Sequence, residues 1–340
     1  MRIAALMPEL AVNSLYRTLV PMQALAHRGH AVHIEERNEI RNPERLLEAD
    51  LVHFLRFSHA EMLRMARRLK AAGVAMVWDN DDDLTAIPRE NPAFQQLGGL
   101  RGQYMFSRMT AMMKLADVVT TPSEVLAARY AEASGTEVRV LENYLPPTFA
   151  RPERVMPHPG VAIGWLAALE HQVDFEQLRL RETLERLMAR HPHVTLITIG
   201  LNLGLNRNAY GHYPITRYGA LPELMSQFDI GLAPLIDIPF NRARSNVKVK
   251  EYAAMGVPWL ASPVGPYAEL GEEQGGRLVP DDRWYQEIEA LITEREARAR
   301  LAHRGRRWAQ GHLIEDHIDA WEDALETAVA KARAASGAGR

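Results

Sequence analysis

Short apolar runs alternate with amphipathic stretches along most of the chain, which is the pattern of a parallel sheet wrapped by helices. Residues 3–7 (IAALM) predict a first strand, residues 15–27 a helix stopped by Gly29, and residues 30–35 a second strand, together one βαβ unit. Strands are expected again at 51–55, 74–78, 118–120 and 138–141, with a helix at 60–72 whose polar face carries Arg64, Arg67, Arg68 and Lys70. Residues 145–160 (LPPTFARPERVMPHPG) hold five prolines and no sustained periodicity, so they read as a linker. After it the alternation restarts, with strands expected at 161–166, 194–200, 229–234 and 259–261 and a helix at 175–190. Residues 201–213, rich in Asn and Gly, predict a loop. Near the end, Ile314, Ile318, Trp321, Leu325 and Ala328 recur at steps of four and three, one apolar stripe of a long helix. The Ala, Gly and Arg residues after Ala330 are expected to fray.

The length of 340 residues fits about two domains, each with its own core. The expected division is 1–150 and 158–315, with a helix at 316–333 crossing back onto the first domain. The chain has no cysteine, which removes disulfides, thiolate metal sites and cysteine nucleophiles and fits a reducing compartment. A formal net charge of -3 gives no global field toward nucleic acid. The first apolar run is too short for a signal peptide and no window reaches the roughly 18 apolar residues of a membrane span, so a cytoplasmic location is expected, with a peripheral membrane contact left open.

In open α/β sheets ligands bind beyond the carboxyl ends of the strands, so the candidate chemistry is sought there. Residues 229–270 (DIGLAPLIDIPFNRARSNVKVKEYAAMGVPWLASPVGPYAEL) hold the most informative cluster. Ser245 fits an N-cap, Gly256 the position past the helix end and Pro258 the stop. At about 100° per residue, Ser245, Lys248 and Tyr252 fall on one side, Glu251 lies beside Lys248, and Lys250 points elsewhere. A helix N-terminus with a hydroxyl and an ammonium one turn in suits a phosphate or pyrophosphate, and Glu251 suits ribose hydroxyls. The plainer alternative is a capped helix with a surface Lys248–Glu251 pair.

This segment resembles the donor-binding region of group 1, retaining glycosyltransferases of the GT-B fold. Residues 116–145 (ADVVTTPSEVLAARYAEASGTEVRVLENYL) are similar to the same enzymes' strand ending in Pro-Ser, helix, and strand ending in Asn before the interdomain linker. VAIGWLAALEHQVDFEQL and VTLITIG are similar to the first two strands of their nucleotide-binding domain. The resemblance implies an α/β chain of two facing Rossmann-like domains, and transfer of a sugar from a nucleoside-diphosphate sugar to an acceptor hydroxyl, with retention and without a metal or other cofactor. The acceptor it implies is a glycan, a lipid-linked sugar or a small metabolite. It assigns Glu251 to the donor ribose and Ser245 and Asn246 to the pyrophosphate, with Arg244, His171 and Gly219 completing the donor side. The chain departs from the family at Ala243, where a second glutamate is common, and at Ala168, Glu170 and His171, where an Arg and a Lys often stand. The cationic role then passes to Arg244, Lys248 or His171, with Lys248 favoured by helix geometry.

The segment WDNDDDL, residues 78–84, crowds four aspartates into five positions at a strand end. The family layout puts an active-site side chain here, so Asp79 and Asp81 join Lys248 as catalytic candidates, a carboxylate serving as base or hydroxyl ligand. A helix cap at Asp82 or Asp83 is the competing explanation. Arg17 is a further cleft or solvent candidate. His53, His59 and His171 lack metal-ligand spacing, and His171 is favoured among them for a phosphate or proton role. Rival readings are a sugar-nucleotide epimerase of the same fold and a catalytically weak sugar-nucleotide-binding subunit. A dehydrogenase is disfavoured, because no G-x-G-x-x-G follows either first strand.

Overall fold

The computed structural model describes residues 1–9, 11–36, 43–150, 158–205, 209–214 and 218–338. The first six strands are β1 (Arg2–Met7), β2 (Ala31–Glu36), β3 (Leu51–Leu55), β4 (Ala75–Asp79), β5 (Val118–Thr121) and β6 (Val138–Val140). They form one sheet in the order β2-β1-β3-β4-β5-β6, with every pairing parallel. β3, β4 and β5 are buried along their whole length, as strands are when helices cover both faces, although they carry His53, Asp79, Thr120 and Thr121. A second sheet is built from β7 (Val161–Ala167), β8 (Val194–Gly200), β9 (Tyr210–Tyr213), β10 (Ile230–Ala233), β11 (Trp259–Ala261) and β12 (Gly276–Leu278). Its order is β12-β11-β10-β7-β8-β9, again all parallel.

Each order reverses once, between β1 and β3 in the first sheet and between β7 and β10 in the second. At such a point neighbouring connections leave to opposite sides and open a crevice at the carboxyl ends. The segments after β1, β3, β7 and β10 are therefore where a ligand site is to be sought.

The helix Ile318–Ala338 lays Trp321, Ala324, Leu325 and Ala328 into a core shared with Ile3, Val77 and Val118. The tail thus returns to the first sheet, and its helix runs past Ala330, where fraying is expected from composition. Packing of Ala332 at 7% exposure explains the extension. The two chain crossings lie side by side. The Leu145 amide donates to His312 O at 2.8 Å and the Ile314 amide to Leu145 O at 2.9 Å.

Several expectations are corrected. The predicted loop at 201–213 contains β9 at its end, held to β8 by Tyr210, whose hydroxyl lies 2.9 Å from that of Thr198. The helix expected at 175–190 is two helices, Gln172–Gln177 and Leu180–Arg190, parted at Arg179 with φ 51°. The helix expected from Leu15 begins at Val12 and passes through a π-helical turn, Leu15–Leu19. Of the expected linker, residues 151–157 lie outside the described residues, while Pro147–Phe149 form a turn with Phe149 buried.

Candidate active site

The helix Val247–Met255 follows β10 and is almost wholly enclosed, with every residue from Val249 to Met255 buried. Gly256 ends it at φ 68°, the left-handed cap that its place before Pro258 predicts, and a Cβ there would meet the Arg306 guanidinium at 2.2 Å. The start differs from expectation. Asn246 occupies the cap position, and Ser245 Oγ accepts a bond from Asn143 Nδ2 at 3.0 Å. A tertiary partner has taken the hydroxyl that local sequence offers to the helix.

Three links join this helix region to the first half of the chain. Besides Asn143 and Ser245, the Tyr16 hydroxyl donates to Glu251 Oε1 at 2.5 Å, and buried Lys250 donates from Nζ to Glu142 Oε2 at 2.5 Å and to Asn143 O at 3.2 Å. Lys250, expected to point away from any ligand, does so by bracing the helix against the segment before the crossing.

Lys248 ends in a relay. Its Nζ lies 2.8 Å from His171 Nε2, and His171 Nδ1 lies 2.8 Å from Asp174 Oδ2. An ionised carboxylate only accepts, so the imidazole proton sits on Nδ1 and Nε2 receives the ammonium. Asp174 is fixed in turn, accepting from the Ile236 amide at 3.0 Å and from Asn241 Nδ2 at 2.8 Å. Burial, and then the cations Lys248 and Arg244, push His171 down to about 4, so it is neutral at physiological pH. Burial, with Arg244 nearby, brings Lys248 down to about 7. Arg244 donates to Glu170 Oε1 at 2.7 Å and lies over the Phe240 ring at 5.4 Å. Burial works against ionisation of Glu170, yet the Arg244 charge holds it at about 2. The Arg244 Nη1 is buried without a hydrogen-bond partner. Two cations thus stand at a helix N-terminus on the reversal point of the second sheet, an arrangement that can hold a doubly charged anion.

On the facing side, the aspartates of 78–84 are resolved by arginines. Asp79, expected to act on substrate, is fully buried, and takes Arg17 Nε at 3.0 Å, Arg17 Nη2 at 2.6 Å and Thr120 Oγ1 at 2.5 Å. Arg17 is equally buried, bonds Leu141 O and Asn143, and lies over the Trp321 ring at 5.0 Å, so neither the cleft nor the solvent reading of it holds. Asp81 accepts from Arg56 Nη2 at 2.5 Å and Nε at 3.1 Å, and Asp82 shares the same guanidinium. Burial raises Asp81 while Arg56 opposes it. Asp83 binds Arg129 and accepts from the Thr85 amide at 3.1 Å, closing a turn; the helix cap expected at Asp82 or Asp83 is corrected, because no helix starts here and the next one begins at Phe94. The structure therefore gives Asp79 buried partners in Arg17 and Thr120, and leaves Asp81 and Asp82 near the cleft through Arg56.

Arg56, which follows β3 at φ 60°, escapes sequence reasoning, as do Tyr16, Asp174 and Asn143 as linking groups. Arg56 lies one residue beyond β3, at the carboxyl end of a fully buried strand and next to Leu55, which pairs with Asp79, and that was the available signal. Of the histidines, His53 is fully buried with neither ring nitrogen bonded, and burial takes it to about 4; His59 precedes the helix Ala60–Ala72 beside Phe57. Gly219 is exposed in the turn Tyr218–Ala220, a Cβ there would meet nothing within 4 Å, and it joins none of the contacts above. Among the described residues no group of His, Asp and Glu has a metal-holding arrangement, and no helix is long and apolar enough to cross a membrane.

No protein-family model and no curated protein sequence matches the chain. Solved structures do. Anabaena HepE in complex with UDP-glucose superposes with a TM-score of 0.65 at 14% identity, over 96% of this chain and 100% of that one. The fold is GT-B. A sucrose-phosphate synthase from Thermosynechococcus elongatus gives a TM-score of 0.65 at 15% identity, covering 96% of this chain and 98% of its own. WaaG, a glycosyltransferase involved in lipopolysaccharide biosynthesis, gives 0.66 at 14% identity, with 95% and 99% covered. In this GT-B chain the crevices of both sheets face one another, and a cavity of about 360 Å³ lies between Arg56, Asp82 and Ile87 on one side and Leu169, Glu170 and Phe240 on the other.

Proposed function

We propose that the chain is a glycosyltransferase that moves a sugar from a nucleoside-diphosphate sugar to an acceptor hydroxyl. One observation carries the reading: Arg244 and the relay-held Lys248 meet at the N-terminus of a buried helix, with Glu251 one turn further in, on the β7/β10 reversal point. In this reading residues 158–315 hold the donor, residues 1–150 hold the acceptor, and residues 316–333 fasten the two. The diphosphate lies on the helix N-terminus against Lys248 and Arg244, whose Nη1 has no other partner. As the glycosidic bond to phosphate breaks, negative charge grows on the leaving diphosphate where these donors already stand. The cations do this work without a metal, and the sugar is transferred with retention. His171 and Asp174 do not touch the donor; they aim the ammonium. Glu251 takes the ribose hydroxyls by exchanging the bond it now receives from Tyr16.

HepE was solved with UDP-glucose, which makes that donor the first to test. Calorimetry with UDP-, GDP- and dTDP-sugars, followed by assay of nucleoside-diphosphate release and of products, tests the proposal. Transfer with a donor dissociation constant that rises in Lys248→Met and Glu251→Ala supports it. Binding without turnover points to a binding subunit, and a donor recovered with an inverted sugar centre points to epimerisation.

A further inference from the structure

The cavity between the halves is not absorbed by the donor reading. Its first wall is the segment 82–97, where Ile87 is 7% exposed, and its second wall is Leu169, Glu170 and Phe240. Its volume of about 360 Å³ suits a small organic group, near the lower end of the roughly 300–1,000 Å³ of ligand pockets. Every charged side chain in its lining is already paired. Arg56 is spent on Asp81 and Asp82, and Glu170 on Arg244. The lining has one arginine against two carboxylates, so an anionic group entering it finds no spare cation and two like charges. Apart from these charges and the amides of Asn91 and Gln96, the walls are apolar. Ile87 and Phe240 are buried, whereas Leu169 stands at the mouth 62% exposed, a large apolar side chain held out by the turn Leu169–His171. The next two residues of that turn are Glu170 on the cavity and His171 behind Lys248, so cavity and phosphate site are separated by one turn of chain.

We infer that this cavity is the acceptor subsite and that the acceptor is an uncharged alcohol with an apolar body, not a phosphate or other anion. The inference rests on the transfer reading above and names its second substrate. The apolar body covers Ile87, Leu169 and Phe240, and the hydroxyl meets the Asp82 and Glu170 carboxylate edges. In the transfer the bond from the anomeric carbon to the phosphate oxygen breaks and the bond from that carbon to the acceptor oxygen forms. The hydroxyl proton passes to the released diphosphate.

The test uses the full chain with four probes: octyl β-glucoside below its micellar concentration, glucose, glucose 6-phosphate and octyl phosphate. Direct binding by calorimetry is measured first with the chain saturated with UDP, which occupies the phosphate site, then transfer from UDP-glucose by mass spectrometry. Octyl β-glucoside is expected to bind at least about tenfold more tightly than glucose, with both phosphates weaker than their neutral counterparts. Leu169→Asp, at an exposed position that folding tolerates, is expected to erase that preference. Binding of octyl β-glucoside without transfer keeps the subsite and removes the transfer reading. Equal or stronger binding of either phosphate, or an octyl preference untouched by Leu169→Asp, overturns the inference.

Discussion

Asp79→Ala is expected to damage the fold before it damages chemistry. Removing the carboxylate leaves Arg17 charged at 0% exposure with Nε and Nη2 stripped of partners. Each buried donor left unmade costs about 1–3 kcal/mol, and breaking a buried ion pair from one side costs about 3–5 kcal/mol in all. Leu141 O, Asn143 and the Trp321 ring still hold the guanidinium, which keeps the loss within that range. Against a usual total of about 5–15 kcal/mol this is a large share, and it corresponds to a fall in Tm of roughly 6–20 °C for a domain of this size. Thermal and urea unfolding of Asp79→Ala, Arg17→Met and the pair Arg17→Met with Asp79→Leu measure it. The double variant should be less destabilised than the two single losses summed, because replacing a whole buried pair by apolar groups leaves no orphan charge. A Tm unchanged within about 2 °C in Asp79→Ala, together with turnover lowered a hundredfold, would show a catalytic carboxylate and refute this reasoning.

Lys248, set near 7 chiefly by burial, is charged below that pH and loses its proton above it, so affinity for UDP should fall as pH rises from 6 to 8. Lys248→Arg should flatten that dependence, and a dependence unchanged in the variant would remove Lys248 from the phosphate site. Asp174→Asn frees His171 from its fixed tautomer and should raise KM for the donor more than it lowers kcat; a fall in kcat alone would argue against a positioning role. Tyr16→Phe removes the competitor for Glu251 and should tighten donor binding by about tenfold, some 1.4 kcal/mol, as read by calorimetry; weaker binding would mean that Tyr16 supports the donor. Trp321→Ala empties a fully buried site between the final helix and the first sheet and should cost about 3–5 kcal/mol in urea unfolding, and a cost under 1 kcal/mol would show that the helix is not held there.

The alternation of apolar runs was enough to place β1, β3, β4, β7, β8, β10 and β11 and the stripe of the final helix, because a strand buried on both faces and a helix with one docked side leave local signatures that a linear reading detects. The cap of Val247–Met255 shows where such reading stops. Ser245 looks like an N-cap, yet Asn143, 102 positions earlier in the chain, claims its hydroxyl. The aspartates at 79–83 are the larger case. Sequence shows the crowding, but Arg17, Arg56 and Arg129, which relieve it, arrive from three separate segments, and only the strand order β1-β3-β4-β5 brings them together. Likewise His171, Lys248 and Asp174 become a relay because the β7 and β10 connections meet at a reversal point. Periodicity and capping are local energies and can be read along the chain. The partners of buried charges are set by packing across it, since in the interior each ion must find whichever opposite charge the topology brings within reach.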